Sequence, residues 1–308
     1  MMRPKIAGAG LCCLDHILIA PQIPWGESAL VENYRLQGGG LVGTALVACA
    51  RLGAECRIFS LLGVDEIGDR IASELADEGV ALAGVARVPG GASPFSFIHV
   101  DEHSGERTIF HRRASGMKPA KLPDLGWIAQ CDALLVDDYY PELALAAAKT
   151  AHENGVPVVG DVITFDAKKN EELFRHVTVL IAPRNFAARL GPEGDLPAAL
   201  AAIHRLGPET ALITLGADGW LWSAPRRQGK GEAFKVEVVD TTGAGDAFHG
   251  AFAYGLARRW EIERCAEFAA AVAAIKCTKT GGRTGLPALA QALDFLKKRG
   301  WLDWSAGG

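Results

Sequence analysis

Past residue 130 the sequence alternates short apolar runs with stretches of helical character, and this alternation most constrains the fold. Ala133 to Val136, Pro157 to Asp161, Val177 to Ile181 and Ala211 to Leu215 read as strands. Pro141 to Asn154 and Pro197 to Leu206 read as the helices between them. Strands alternating with helices predict a mostly parallel sheet covered on both faces. Earlier in the chain, residues 5–14 read as one buried strand. Thr44 to Leu52 reads as a buried helix ended by Gly53, residues 56–62 as a strand, and Ile67 to Glu78 as an amphipathic helix stopped by Gly79. Residues 244–258 and 262–277 are long apolar helices, Pro287 to Arg299 is a last amphipathic one, and Phe234 to Val239 is extended. Trp301 and Trp304 are expected to pack that last helix.

Residues 94–113 differ in character. Phe95, Phe97 and His99 alternate with other residues, Asp101 to Glu106 reads as a turn, and Thr108 to Arg112 returns, which is a hairpin pattern. With extended pieces near 16–20 and 28–36 it predicts a small separate sheet. The expected organisation is one α/β domain over 1–308, with a β lid from segments of about 15–38 and 94–113.

Composition narrows the function. Lys+Arg number 32 against 36 Asp+Glu, a net charge of −4, which excludes a strongly basic nucleic-acid binder. The seven cysteines include the adjacent pair Cys12-Cys13 and no C-x-x-C, so reduced thiols are expected, with Cys49, Cys265 and Cys277 as packing residues. No leader pattern and no apolar stretch of about 18 residues is found, so a cytoplasmic protein without membrane partners is expected. Glycine, 36 residues, exceeds ordinary usage. It collects where backbone would have to approach a ligand.

The run Asp240-Thr241-Thr242-Gly243-Ala244-Gly245-Asp246 follows an extended segment and opens a long helix. Small residues there leave amides uncovered at a helix N-terminus, an anion site. Asp246 would repel a phosphate, a cost that makes sense if it takes the proton of a hydroxyl attacking a phosphoryl group; an Asp in a first turn also serves as a simple cap.

This run resembles the C-terminal signature of the PfkB family of carbohydrate kinases, which have the ribokinase fold. Gly39-Gly40, the helix ending Ala50-Arg51-Leu52-Gly53, and Gly63-Val64-Asp65-Glu66-Ile67-Gly68 resemble its N-terminal signature. The resemblance implies a ribokinase-like three-layer α/β/α domain with a largely parallel central sheet and a small β-sheet lid. It implies an ATP-dependent kinase acting on a hydroxyl of a sugar or sugar-like molecule. Asp246 would be the base and the amides of Gly243, Ala244, Gly245 and Asp246 the anion hole. Asp15, Gly39, Gly40 and Thr44 would hold the sugar. Asn185, Thr214, Gly216, Gly219 and Gly245 would hold the nucleotide with Mg²⁺. Asp240, the Thr242 carbonyl and carbonyls around Lys279 and Gly281 would hold K⁺, and lids of this kind imply a homodimer.

Two positions depart from the family pattern. Thr44 stands in place of an Asn, and Ala188 in place of the Glu of an Asn-x-x-Glu motif, so that either Asn185 acts without that Glu or another acid such as Glu193 substitutes. The sequence looks most like the sulfofructose-kinase and ketohexokinase-like branch, carried by Gly38 to Gly40 with Thr44, Phe234 to His249, Lys276-Cys277-Thr278 and Gly281-Gly282-Arg283. Asp137-Asp138-Tyr139-Tyr140 offers no cation for an anionic sugar; His111-Arg112-Arg113 would supply one, with Arg112 as the contact, or else form a solvated edge. A nucleoside kinase and a non-catalytic ligand sensor are the competing readings.

Other features read as ordinary structure. Gly8-Ala9-Gly10 lacks the third glycine of a dinucleotide-binding oxidoreductase, and Gly229-Lys230-Gly231 is expected to be a hairpin turn beside Arg226-Arg227, not a P-loop. His99, His103 and His111 lack compact metal-ligand spacing, and His249 reads as packing beside Asp246.

Overall fold

The computed structural model describes residues 3–28, 30–31, 33–104, 106–162, 167–192 and 194–301. In chain order the strands are β1 (Lys5–Ala9), β2 (Cys13–Ala20), β3 (Asn33–Gly39), β4 (Glu55–Gly63), β5 (Val80–Val88), β6 (Phe95–Asp101) and β7 (Arg107–Arg112). They continue as β8 (Ala133–Asp137), β9 (Val158–Asp161), β10 (Val179–Pro183), β11 (Thr210–Thr214), β12 (Trp220–Ala224) and β13 (Arg227–Gly231). The helices are α1 (Leu41–Arg51), α2 (Glu66–Asp77), α3 (Pro141–Glu153), α4 (Ala167–Phe174), α5 (Arg184–Ala187), α6 (Leu196–Leu206), α7 (Ala244–Ala257), α8 (Ile262–Lys276) and α9 (Leu289–Lys297).

Among the described residues, nine strands form one sheet in the order β13-β12-β11-β10-β9-β8-β1-β4-β5. Neighbours from β11 across to β5 run parallel, and β12 and β13 extend the other edge antiparallel. Side chains alternate between two cores, as pleated strands require. Ile6, Leu135, Val159, Ile181 and Leu212 pack with α1, α7, α8 and α9. Ala7, Leu134, Val158, Leu180 and Ala211 pack with α3, α4 and α6. The result is the expected three-layer α/β/α arrangement. Helix α1 is buried almost all round because α7 lies directly against it: a Cβ on Gly250 would sit 2.3 Å from the Ala45 carbonyl oxygen, and Cys49 Sγ donates to the Gly250 carbonyl at 3.1 Å.

The second sheet has the order β3-β2-β6-β7, with β2 and β6 parallel. One face carries Ile17, Ile98 and Val100 with Ile19 and Ile109 against them. The other carries His16, Tyr34, Phe95 and Phe97, whose rings are in contact. The two segments expected to form this sheet do so.

Local differences from expectation have physical causes. Residues 5–14 are not one strand: β1 belongs to the large sheet and β2 to the small one. The chain leaves the large sheet at Gly10, where the Asp137 carboxylate fills the space that a Cβ would need, 2.4 Å away. Helix α1 starts at Leu41, not Thr44, because Gly40 at φ 88° makes the turn into it. Strand β5 has no counterpart in the sequence reading; it is an edge strand whose burial alternates irregularly around a register shift. Gly229 to Gly231 lie inside β13, not in a turn. The Trp222 and Trp220 rings occupy the places where side chains on Gly229 and Gly231 would go. Phe234 to Val239 forms no strand, and Val238 and Val239 are exposed.

Trp301 meets Phe234, which in turn meets Phe295 of α9; Trp304 lies outside the described residues. All seven cysteines are buried and free. Among the described residues no helix is long and apolar enough to cross a membrane.

Candidate active site

The parallel strands all end at one edge of the large sheet, the usual place for a ligand in an open α/β sheet. Beyond β1 comes Asp15, at the end of β8 Asp137 and Asp138, and at the end of β9 Asp161. Pro183 of β10 stands opposite Thr214 of β11, so Asn185 and the Gly216–Asp218 turn leave the same edge. The N-termini of α1 and α7 arrive there side by side, bringing Gly39-Gly40 and Gly243 to Asp246 together.

Gly243 caps α7 with φ 72°, a left-handed conformation suited to glycine, and a Cβ there would press on Gly282 at 2.8 Å. Gly245 is exposed, with open space where a side chain would stand. The Gly245 and Asp246 amides have no acceptor among the described residues. The Ala244 amide departs from the expected anion hole: it is turned to the Thr241 carbonyl at 3.1 Å.

Asp246 sits half-buried in the first turn of α7. Burial pushes its carboxyl up to about 8, and the Asp161 and Asp15 charges add to the rise, against His249 and Arg107. Burial likewise raises Asp161 to about 7 and Asp137 to about 8. The Asp137 carboxylate is already used in the fold, accepting the Leu11 amide at 2.7 Å and the Tyr139 amide at 2.9 Å. His249 is buried as expected, its ring nitrogens at 2.8 Å from the Gly245 carbonyl and 3.2 Å from the Ile181 carbonyl. It thereby fixes the start of α7 against β10.

Asp15 stands in β2 of the small sheet and is buried. Strand registers place Gln37, Asp15, Ser96 and His111 in one row across all four strands. His111 Nδ1 is 3.1 Å from Ser96 Oγ, and Cys13 Sγ donates to Asp15 Oδ1 at 3.3 Å. Burial raises the Asp15 pKa, while Cys13, Arg283, Ser96 and His111 hold it down. A Cβ on Gly39 would lie 1.9 Å from Asp15 Oδ2, so glycine is what lets the loop and the carboxylate share this space. Arg283, buried behind the loop, donates from Nη2 to the Gly39 carbonyl at 2.9 Å and from Nε to Thr44 Oγ1 at 3.4 Å.

Several expected contacts are displaced. Arg112 faces away from Asp15: it stands opposite Phe95 and stacks on that ring, with 5.6 Å from guanidinium to centroid. The inward cation of β7 is Arg107, whose Nη1 donates to Thr241 Oγ1 at 2.6 Å. Strand alternation is the signal that separates the two, since 107, 109 and 111 share a face and 112 does not. His99 bonds the Ala20 carbonyl at 2.9 Å and takes no part in the row.

Asn185 is exposed at the start of α5, and Ala188 offers no carboxylate; Glu193 lies outside the described residues. Gly216 and Gly219 take φ 64° and 89°, and Leu215 N–H donates to the Gly219 carbonyl at 2.8 Å, closing the turn. Arg184 pairs with Asp218 beside it.

Asp240 is fully buried, and its carboxylate accepts the Thr242 and Gly281 amides, each at 2.7 Å. Its carbonyl accepts Lys276 Nζ at 2.7 Å. The Thr242 hydroxyl is buried without a partner, and the Lys279 side chain is exposed. Among the described residues no three His, Cys, Asp or Glu side chains converge as a metal site.

The chain matches the description pfkB family carbohydrate kinase over residues 3–289. The chain belongs to the pfkB family of carbohydrate kinases. A ribokinase of Haemophilus influenzae is 31% identical over 313 residues, covering 96% of this chain and 99% of its own. A ribokinase of Bacillus subtilis is 29% identical, with 95% and 99% covered. Among solved structures, a putative ribokinase from Agrobacterium tumefaciens superposes with TM-score 0.91 at 29% identity, covering 98% and 99%. The fold is shared with Arabidopsis thaliana ribokinase complexed with ribose and ATP, at TM-score 0.85, 24% identity and coverage of 96% and 99%. The expected enzyme class, an ATP-dependent carbohydrate kinase, is the class of these relatives, and this pfkB member is assigned to it.

Proposed function

We propose that this pfkB-family kinase transfers the γ-phosphoryl group of ATP to a hydroxyl of a sugar lying between Asp15 and Asp246. The observation that carries the reading is their proximity. The Asp15 charge on β2 adds to the raised proton affinity of Asp246 on α7, and Asp246 stands beside amides free to receive an anion. A base raised to about 8 is far better matched to a hydroxyl proton at neutral pH than an ordinary carboxylate.

In this reading Asp15, Gly39, Gly40 and Thr44 orient the sugar, under the polar row of Gln37, Ser96 and His111. That polar roof favours a polyhydroxylated substrate over the flat, apolar base of a nucleoside. Ribose is the first sugar to test, because ribokinases stand among the relatives. Thr214, Gly216, Gly219 and Asn185 hold the nucleotide, and the Gly245 and Asp246 amides face the transferred phosphoryl group. Asp246 accepts the hydroxyl proton as the bond to phosphorus forms. The small sheet closes over the sugar and keeps water from the phosphoryl group.

Mg²⁺ accompanying ATP would bind near Asp246 and Asp161, the two carboxylates left with strongly raised proton affinity. When bound it neutralises charge on the phosphates. The exposed aromatic face of the small sheet, with Tyr34, Phe97 and Phe110, is proposed to meet a second copy of the chain.

The test is a phosphate-acceptor screen with ATP over ribose, fructose, sulfofructose, 2-keto-3-deoxygluconate and nucleosides, run beside Asp246→Asn. Turnover on a sugar, abolished in the variant, is expected. Turnover retained by Asp246→Asn removes the base assignment, and phosphorylation of nucleosides alone removes the sugar.

A further inference from the structure

We infer that Arg283 is a positioning residue for the sugar site: from behind Gly39 its buried guanidinium serves as the counter-charge of Asp15 and steadies the loop on which the sugar rests. The inference rests on the sugar-kinase reading of the same site.

One glycine links the two charges. The Gly39 carbonyl accepts Arg283 Nη2 at 2.9 Å, and a Cβ on the same residue would lie 1.9 Å from Asp15 Oδ2. Guanidinium and carboxylate are therefore within about 9 Å of each other, with Gly39 between them. Both are buried, and charges in a protein interior act on each other with far less screening than in water.

The guanidinium is committed to this place. Its channel is lined by glycines: a Cβ on Gly38 would lie 2.1 Å from Nη1, and one on Gly43 would lie 2.9 Å from Nη2. The Arg283 amide donates to Gln37 Oε1 at 3.1 Å, and its carbonyl accepts Arg51 Nη1 at 2.7 Å. Among the described residues Nη1 has no acceptor. A buried arginine with an orphaned donor is a poor device for packing alone, so its charge calls for a use. Two carboxylates bear on it, Asp15 and Glu74. Glu74 is already engaged by Arg70 and by the Gly38 amide. Around Asp15 stand the Cys13 thiol on β2, Ser96 on β6 and His111 on β7, with Asp246 facing it from α7 as a like charge. Burial raises the Asp15 carboxyl, and Arg283 opposes that rise. Without the guanidinium Asp15 would hold a proton to higher pH, and the sugar hydroxyls would lose an acceptor.

The test is calorimetric titration with ribose, or with whichever sugar the acceptor screen selects, against pH. Arg283→Met is expected to weaken sugar Kd about tenfold or more at about pH 6, with ATP Kd unchanged. The ratio of its sugar Kd to that of the wild type should shrink as pH rises to about 8.5, because Asp15 regains its charge. Taking the ratio sets aside the titration of His111, Asp161 and Asp246 that both enzymes share. Arg283→Lys keeps the charge but falls short of the Gly39 carbonyl, so its smaller loss should not vary with pH. A wild-type sugar Kd in Arg283→Met, or a loss that is the same at every pH, overturns the inference. If Arg283→Met does not fold, Arg283→Gln takes its place with the same expectations. Thermal melting gives a readout that needs no sugar. The Tm losses of Asp15→Asn and of the Arg283 variant should sum to more than the loss of the double variant, since each single change strands the other charge. Additive losses overturn the pairing. If the wild type phosphorylates no sugar, the kinase reading fails, and the melting cycle still decides whether Arg283 and Asp15 act as a pair.

Discussion

Replacing Gly39 with Ala is the most direct probe of how the sugar loop and Asp15 share space. The new Cβ would stand 1.9 Å from Asp15 Oδ2 and 2.5 Å from its Cγ. Ordinary contact requires the carboxylate to retreat by about 1.5 Å. It cannot do so freely, because Asp15 is in a central strand of the small sheet and its Oδ1 is held by Cys13. Overpacking of this kind costs about 1–3 kcal/mol, a fall in Tm of a few degrees. A displacement beyond 1 Å in a substrate-positioning group costs about 100-fold in rate. The expected result is therefore a folded enzyme whose kcat/KM for the sugar falls about 100-fold while its nucleotide Kd is unchanged. Steady-state kinetics, calorimetric titration with ATP, and thermal melting measure the three quantities. A folded variant within about threefold of wild type would refute the placement of Asp15 beside the sugar. Parallel loss of nucleotide affinity would show that the loop serves the wrong ligand.

Further expectations concern the other half of the site. Asp246→Asn should lower kcat by about 10²–10⁴-fold with ATP affinity retained, and the wild-type kcat/KM should rise with pH through about 8. Stability should run the opposite way in urea titrations. Asp246, Asp161 and Asp137 keep protons in the native state above the unfolded value of 3.8, so the stability these three contribute is full below that value and is lost as pH rises through about 7 to 8. Gly216→Ala has open space at φ 64° and should cost about 1 kcal/mol with nucleotide KM little changed. Gly219→Ala would set a Cβ 2.0 Å from the Gly231 carbonyl oxygen and should raise nucleotide KM and lower Tm markedly. Phe97→Glu with Phe110→Glu should give a monomer by sedimentation if the exposed aromatic face joins two copies; an unchanged mass rejects that interface.

Residues that work through backbone shape were the most legible in the sequence. Gly243, Gly245 and Asp246 announce a helix N-terminus cleared for an anion, and Gly39-Gly40 announces a loop with no side chains, because no other residue types serve those conformations as well. The alternation of strands and helices likewise carries the three layers. Facing was harder to read. Choosing Arg112 over Arg107 requires knowing which parity of β7 looks inward, and that depends on a register set by Phe95, Ser96 and their neighbours on β6. Lys276 was legible only as part of a resemblance, because a lysine ending an apolar helix ordinarily reaches solvent; its burial comes from the packing of α8 against the Asp240 segment. Gly229 and Gly231 carry a turn composition into a strand because two tryptophans on β12 lie over them.

The way the small sheet is attached governs how it can move. Its shortest links to the rest of the fold are residues 10–12, leading from β1, and the single residue Gly40, leading into α1, and these two touch: a Cβ on Gly40 would be 2.6 Å from the Leu11 carbonyl oxygen. They form a fulcrum. Asp15 lies two residues from it along β2, about 7 Å, whereas Arg107 lies level with Ile19 and Val100, about 20 Å out. A swing of about ten degrees would carry Asp15 about 1 Å and Arg107 about 3.5 Å. That separates the 2.6 Å contact between Arg107 and Thr241 while the sugar loop stays nearly in place. Under the proposed sugar-kinase reading the lever would divide its labour by radius: the inner end would hold a preformed cradle, and the outer end would bring a positive charge to the phosphate or withdraw it.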